Sequence, residues 1–139
     1  MTRINCIPTQ DLHKKHLIAE YHEITRVFGL VKRLLASGKD PANCGAPDQY
    51  VLGTGHVRFF YTRLAWIQNR VADLAIEMDS RGIKARVEMI QGIAYGIPER
   101  FFGDWEPTEA DIALNKERID ERLVDMAAKP KRKVPTLDD

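Results

Sequence analysis

The chain has 139 residues, 44% hydrophobic and 29% charged, a balance that fits one globular domain and is too apolar for a disordered segment. Its formal net charge of +1 gives no global basic character, so any nucleic-acid surface must come from local clustering. Cys6 and Cys44 lack CxxC spacing and suit a reducing compartment; no apolar signal-peptide core follows Met1, and no run of about 18 apolar residues exists to span a membrane.

The first 40 residues carry a local positive excess: Arg3, Lys14, Lys15, Arg26, Lys32, Arg33 and Lys39 stand against Asp11, Glu20, Glu23 and Asp40. The same stretch predicts a first helix over about residues 10–37, because Leu17, Tyr21, Ile24, Phe28, Val31 and Leu35 recur at alternating steps of four and three. Pro8 bars an earlier start, Thr9 or Asp11 is the expected cap, and Gly38 the expected stop.

With Ile24 at the centre of that stripe, Lys15, His22, Arg26 and Arg33 fall opposite it, and His16, Glu20, Glu23 and Val27 fall on its flank. The pattern has two readings: a cationic row that tracks phosphates beside a reactive carboxylate, or an ordinary solvated face with Glu23–Arg26 pairing. His13, His16 and Glu20 have a spacing that can bring three ligands together. It is not HExxH and no cysteine joins it, so no metal site is expected.

The segment KDPANCGAPDQYVLGTG, residues 39–55, is dense in turn formers and predicts a long loop. Its end, GTGH at 53–56, offers amides to a phosphate but lacks P-loop spacing, and it reads as a loop and cap. A second helix is expected over about 56–81, with Val57, Phe60, Leu64, Ile67, Val71, Leu74 and Met78 as its inner stripe, Thr54 as cap and Gly82 as stop. Residues 83–107 are mixed, with turns around Gly92, Gly96, Pro98 and Gly103, and Trp66 and Trp105 are expected in or beside the core.

A third helix, about 109–127, starts with Thr108 at the N-cap and Asp111 in a capping-box variant, and Ile112, Ile119, Leu123 and Met126 line its inner face. No strand alternation persists. The expectation is an all-α, compact single domain of three main helices over residues 1–128, with long irregular loops. Residues 129–139 form a basic tail with Lys129, Lys131, Arg132 and Lys133, read either as unspecific phosphate contacts or as a disordered solubilising end.

Several blocks in order then carry a resemblance. MTRIN at 1–5, HLIAEYHEITRVFG at 16–29 and LGTGHVRFFY at 52–61 resemble the pyrimidine-dimer DNA glycosylase/AP lyases, the phage-type endonuclease V family. The match continues in register through Arg81-Gly82, Ile97-Pro98, Phe102-Gly103-Asp104 and a third helix with Arg118 and Arg122, to about residue 125. It implies an all-α fold with the N-terminal segment threaded between helices. It also implies excision of a damaged pyrimidine, through attack of the Thr2 α-amine on the sugar C1′, an imine, and β-elimination. By the same resemblance Glu23 is the catalytic acid, Arg3, His16 and Arg26 lie near the DNA backbone, and His22, Arg118 and Arg122 add phosphate contacts; Lys15 and Arg33 extend the cationic row. The implied partner is lesion-bearing double-stranded DNA, bound by a monomer without metal or cofactor, in the cytoplasm of a bacterial or phage-infected cell and away from membranes.

Physical chemistry supports a terminal amine as nucleophile. Imine formation needs a neutral amine, and an α-amino group titrates near 7.7–8.0 against about 10.4 for lysine, an advantage of order a few hundred at neutral pH. The small side chain of Thr2 permits removal of Met1, and nearby Arg3 favours the neutral amine. Two departures stand out. His22 sits where the family usually has arginine, and a histidine does not hold its charge at every physiological pH. No aromatic follows Trp105, whereas phage-type relatives carry a Trp-Tyr-rich C-terminus, and base stacking is worth about 1–3 kcal/mol. The alternatives are therefore action on another modified base or on abasic sites, or a non-catalytic helical DNA-binding module.

Overall fold

A computed structural model of the chain describes residues 3–85 and 92–128, and these contain helices and no strand. Thr2 and the basic tail, with Lys129, Lys131, Arg132 and Lys133, lie outside the described residues. The principal helices among the described residues are α1 (Lys14–Ile24), α2 (Arg26–Ala36), α3 (His56–Phe59), α4 (Leu64–Ser80) and α5 (Glu109–Ala128). Short 3-10 turns occupy Thr9–Asp11, Phe60–Thr62 and Glu99–Phe101. The all-α expectation holds, and two of the three predicted helices are divided.

The first is interrupted at Thr25, where the Phe28 N–H bonds the Thr25 carbonyl at 3.2 Å, a tighter i→i+3 closure than an α-helix makes. Its start is also later than expected. Thr9–Asp11 closes its own turn, and His13 is the N-cap, its Nδ1 accepting the Lys15 N–H at 3.1 Å. The stop is the expected one: Gly38 has φ 85°, and the Lys39 and Gly38 N–H groups return to the Leu34 and Leu35 carbonyls at 2.9 and 3.0 Å.

The second predicted helix breaks at Arg63. Its first residue follows Gly55, at φ 91°, rather than a Thr54 cap, so GTGH is a loop and cap. The cause of the break is a distant segment. Gly103 donates its N–H to the Thr62 carbonyl at 3.1 Å and accepts the Ala65 N–H at 3.2 Å, replacing bonds that a continuous helix would make internally. A Cβ on Gly103 would lie 2.4 Å from the Thr62 oxygen, so only glycine permits this approach. Arg63 bridges the break, with Nη1 donating to the Phe59 carbonyl at 2.6 Å and its guanidinium 3.8 Å over the Phe59 ring.

α5 begins as the sequence predicts. Thr108 Oγ1 accepts the Asp111 N–H at 3.1 Å, and Asp111 Oδ2 accepts the Thr108 N–H at 3.0 Å. The inner stripes build one core, in which Leu17, Ile24, Phe28, Phe60, Leu64 and Ile67 are fully buried. Each such side chain contributes about 1.5–3 kcal/mol. Trp66 and Trp105 close its edge, stacked on Phe60 and Tyr50 respectively at 5.3 Å between ring centroids. Into this core the segment Ile4–Ile7 is threaded, with all four residues buried.

Candidate active site

A buried segment outside helix or sheet must find hydrogen-bond partners elsewhere, since each unpaired backbone group costs about 1–3 kcal/mol. Here side chains supply them. Ile4 donates its N–H to His56 Nε2 at 2.9 Å and accepts from the Tyr50 hydroxyl at 3.3 Å. Asn115 Oδ1 accepts both the Cys6 N–H, at 2.7 Å, and the Ile7 N–H, at 3.2 Å. Arg70 Nη1 donates to the Ile7 carbonyl at 2.6 Å. The His56 tautomer follows from its partners: Nε2 is the acceptor, so Nδ1 carries the proton and donates to the Val51 carbonyl at 2.8 Å. Burial pushes the His56 pKa down, and Arg3 and Arg118 add to this, against the opposing pull of the Val51 carbonyl.

A second layer ties these anchors together. Asn115 Nδ2 donates to Asn5 Oδ1 at 2.8 Å, and Asn5 Nδ2 donates to Glu20 Oε1 at 2.8 Å. Glu20 is in turn gripped by Arg70, Nε to Oε2 at 2.7 Å and Nη2 to Oε1 at 3.2 Å. With both its oxygens engaged, Glu20 completes no metal triad with His13 and His16.

The segment's upstream end, Arg3, emerges on the wall of a cleft of about 340 Å³ between the N-terminal segment, α1 and α5. Glu23, His16 and Arg122 line the same cleft, with Asn5 and Glu20 at its base. Among the described residues the Glu23 carboxylate makes no hydrogen bond or ion pair, although that of Glu20, one turn earlier, is fully committed. The cleft wall sets two arginines, Arg3 and Arg122, beside two carboxylates, Glu23 and Asp125. Burial, then Arg122 and Arg118, push the Arg3 guanidinium below the usual arginine range, and Tyr50 and Glu23 act in the opposite direction. His16 is likewise pushed down, by burial first and then by His13, Arg3 and Arg122, which favours a neutral ring. Its Nδ1 is buried without a hydrogen-bond partner among the described residues.

The sequence-predicted residues thus separate into two groups. Arg3, His16, Glu23 and Arg122 share the cleft, and Arg118 is close enough to act on both Arg3 and His56. Lys15, His22, Arg26 and Arg33 are exposed on α1 and α2 and do not line it. No lysine lines the cleft among the described residues, and burial pushes the Cys6 thiol up to about 12, which keeps it protonated and inert as a nucleophile.

Asn5, Tyr50, His56, Arg70 and Asn115 were not legible as site residues. A signal existed for three of the buried polar groups. Glu20 lies between Leu17 and Ile24, Arg70 between Ile67 and Leu74, and Asn115 between Ile112 and Ile119, each three after one apolar residue and four before the next. Polar side chains in inward register on three helices are candidates for one shared network.

A family model described as pyrimidine dimer DNA glycosylase matches residues 1–91, which includes the threaded segment, α1, His56 and Arg70. The chain belongs to the pyrimidine dimer DNA glycosylase family. As a glycosylase of this family it is a DNA repair enzyme whose substrate is damaged DNA. The glycosylase match ends before α5, so Arg122 lines the cleft from beyond the matched residues, on the helix that also carries Asn115 and Arg118. Among the described residues no helix is long and apolar enough to cross a membrane.

Proposed function

We propose that this cleft excises a damaged pyrimidine, with the ultraviolet-induced cyclobutane dimer as the leading substrate, by imine chemistry at the N-terminus followed by strand cleavage. After loss of Met1, the neutral Thr2 amine forms a bond to the sugar C1′. The C1′–base bond breaks, and its electron pair leaves with the base, which takes up a proton. Opening of the C1′–O4′ bond gives the imine. That imine acidifies C2′–H, and loss of this proton expels the 3′ phosphate by β-elimination. Glu23 stabilises positive charge on the sugar and moves protons during elimination. The cations Arg3, Arg118 and Arg122 disfavour a protonated amine and hold phosphates, and Lys15, His22, Arg26 and Arg33 continue the grip along the backbone.

The observation that carries this reading is the convergence of Arg3 and Glu23 on one cleft that no described lysine lines. The residue directly upstream of Arg3 is then the natural source of a nitrogen nucleophile. Lesion selectivity follows from the cost of extruding a nucleotide, a few kcal/mol, which a poorly stacked lesion lowers.

One observation favours a second substrate reading. Trp105, the last aromatic in the sequence, is packed against Tyr50, Phe59, Phe60 and Trp66, so it offers no free stacking platform. The enzyme then acts on another modified base or on abasic sites with the same amine. Borohydride reduction on a panel of defined-lesion duplexes tests both readings. The expected result is a covalent protein–DNA adduct that disappears when the N-terminus is extended by a short tag while the fold is retained. An extended protein that is trapped normally moves the nucleophile to a lysine, and DNA binding without any adduct makes the chain a non-catalytic module.

A further inference from the structure

Three elements meet at the cleft, and each places a buried polar side chain beside a charged one on the wall. On the N-terminal segment these are Asn5 and Arg3, on α1 Glu20 and Glu23, and on α5 Asn115 and Arg122. Separations of two in an extended segment and of three or seven in a helix keep both members on one side of their element. The buried members are joined in a line, Asn115 Nδ2 to Asn5 Oδ1 at 2.8 Å and Asn5 Nδ2 to Glu20 Oε1 at 2.8 Å.

We infer that the Asn115–Asn5–Glu20 line registers the reactive amino terminus against Glu23, with Asn115 as its principal positioning residue. The inference rests on the imine reading above. Asn115 is fully buried and does not line the cleft, so it touches no DNA. It acts through the segment, as the acceptor of the Cys6 and Ile7 N–H groups and the donor to Asn5. Only a carboxamide of this length offers two acceptor sites and a donor here: aspartate lacks the donor, and leucine lacks both. The segment has no ladder of its own, so its register depends on such side chains. An attacking atom must be held about 3–3.5 Å from its target, and a displacement of ~1 Å costs on the order of 100-fold in rate.

Single-turnover borohydride trapping on an abasic-site duplex, at saturating protein and with Kd measured separately, tests the inference. The parent is compared with Asn115→Ala, with Asn115→Ser, whose hydroxyl still accepts one N–H, and with Met78→Ala, a truncation in the α4 core away from the cleft. Asn115→Ala is expected to trap roughly 10- to 100-fold more slowly with Kd unchanged, Asn115→Ser to fall between it and the parent, and Met78→Ala to trap at the parental rate despite lower stability to urea. If Asn115→Ala does not fold, Asn115→Ser decides by the same criteria. The inference is overturned if the Asn115 variants trap at the parental rate, if they lose trapping only through weaker DNA binding, or if Met78→Ala slows as much. A parent that forms no adduct at all overturns the imine reading itself, and the positioning role with it.

Discussion

Arg70 holds Glu20 in a bidentate pair across 50 positions of sequence, Nε to Oε2 at 2.7 Å and Nη2 to Oε1 at 3.2 Å, with both side chains buried. Removing one partner of such a pair strands a charge and costs about 3–5 kcal/mol, so Glu20→Leu and Arg70→Met should each lower the urea midpoint sharply. Replacing both with apolar residues is often neutral in other proteins. Here the double variant should recover only part of the loss, because the Asn5 amide and the Ile7 carbonyl lose partners worth about 1–3 kcal/mol each. A double variant as stable as the parent would show that the polar line does not hold the segment.

His56 links stability to pH. Its folded pKa is depressed, and a protonated ring cannot accept the Ile4 N–H. The stability it contributes is therefore complete above the unfolded-state pKa of about 6.5 and is lost as pH falls through the lower folded value. His16 has the same sign. Urea midpoints of the parent should decline from pH 7 to pH 5, and His56→Gln, which can keep an acceptor for Ile4, should decline less steeply. Parallel slopes would remove His56 as a source of the dependence.

Glu23 should separate binding from chemistry. We expect Glu23→Gln to bind lesion DNA as the parent does and to release base about 10²–10⁴ times more slowly under single-turnover conditions. Base release at the parental rate would take the acid's role away from Glu23.

Cleft and rim cations should differ in kind. Arg33 is exposed on α2 and outside the cleft, so Arg33→Ala should weaken damaged and undamaged DNA alike and reduce the salt slope by about 1. Arg122 lines the cleft, so Arg122→Ala should also slow trapping at saturating DNA. Salt titrations paired with single-turnover rates check both, and a uniform loss in both variants would mean that the cleft has no special claim on the reacting nucleotide.

Helix identity was legible where a signal was local. The Thr108–Asp111 box and the Gly38 and Gly82 stops were readable because cap and turn chemistry act over a few residues. The break at Arg63 was not, since it exists because Gly103, some forty positions away, supplies the missing backbone bonds. The same distinction applies to the site. Glu23 and the arginines were found by helical spacing and family resemblance, and the residues that hold the N-terminal segment were not.

By itself the sequence determined the helical periods, the Thr108 cap, the Gly38 and Gly82 stops and the family. Only the tertiary structure decided that Glu20, Arg70 and Asn115 turn inward together around Asn5 and that His56 grips Ile4. Apolar periodicity records which face of a helix is buried. It does not record which buried polar group meets which, because a hydrogen bond is fixed by the approach of two elements remote in the chain.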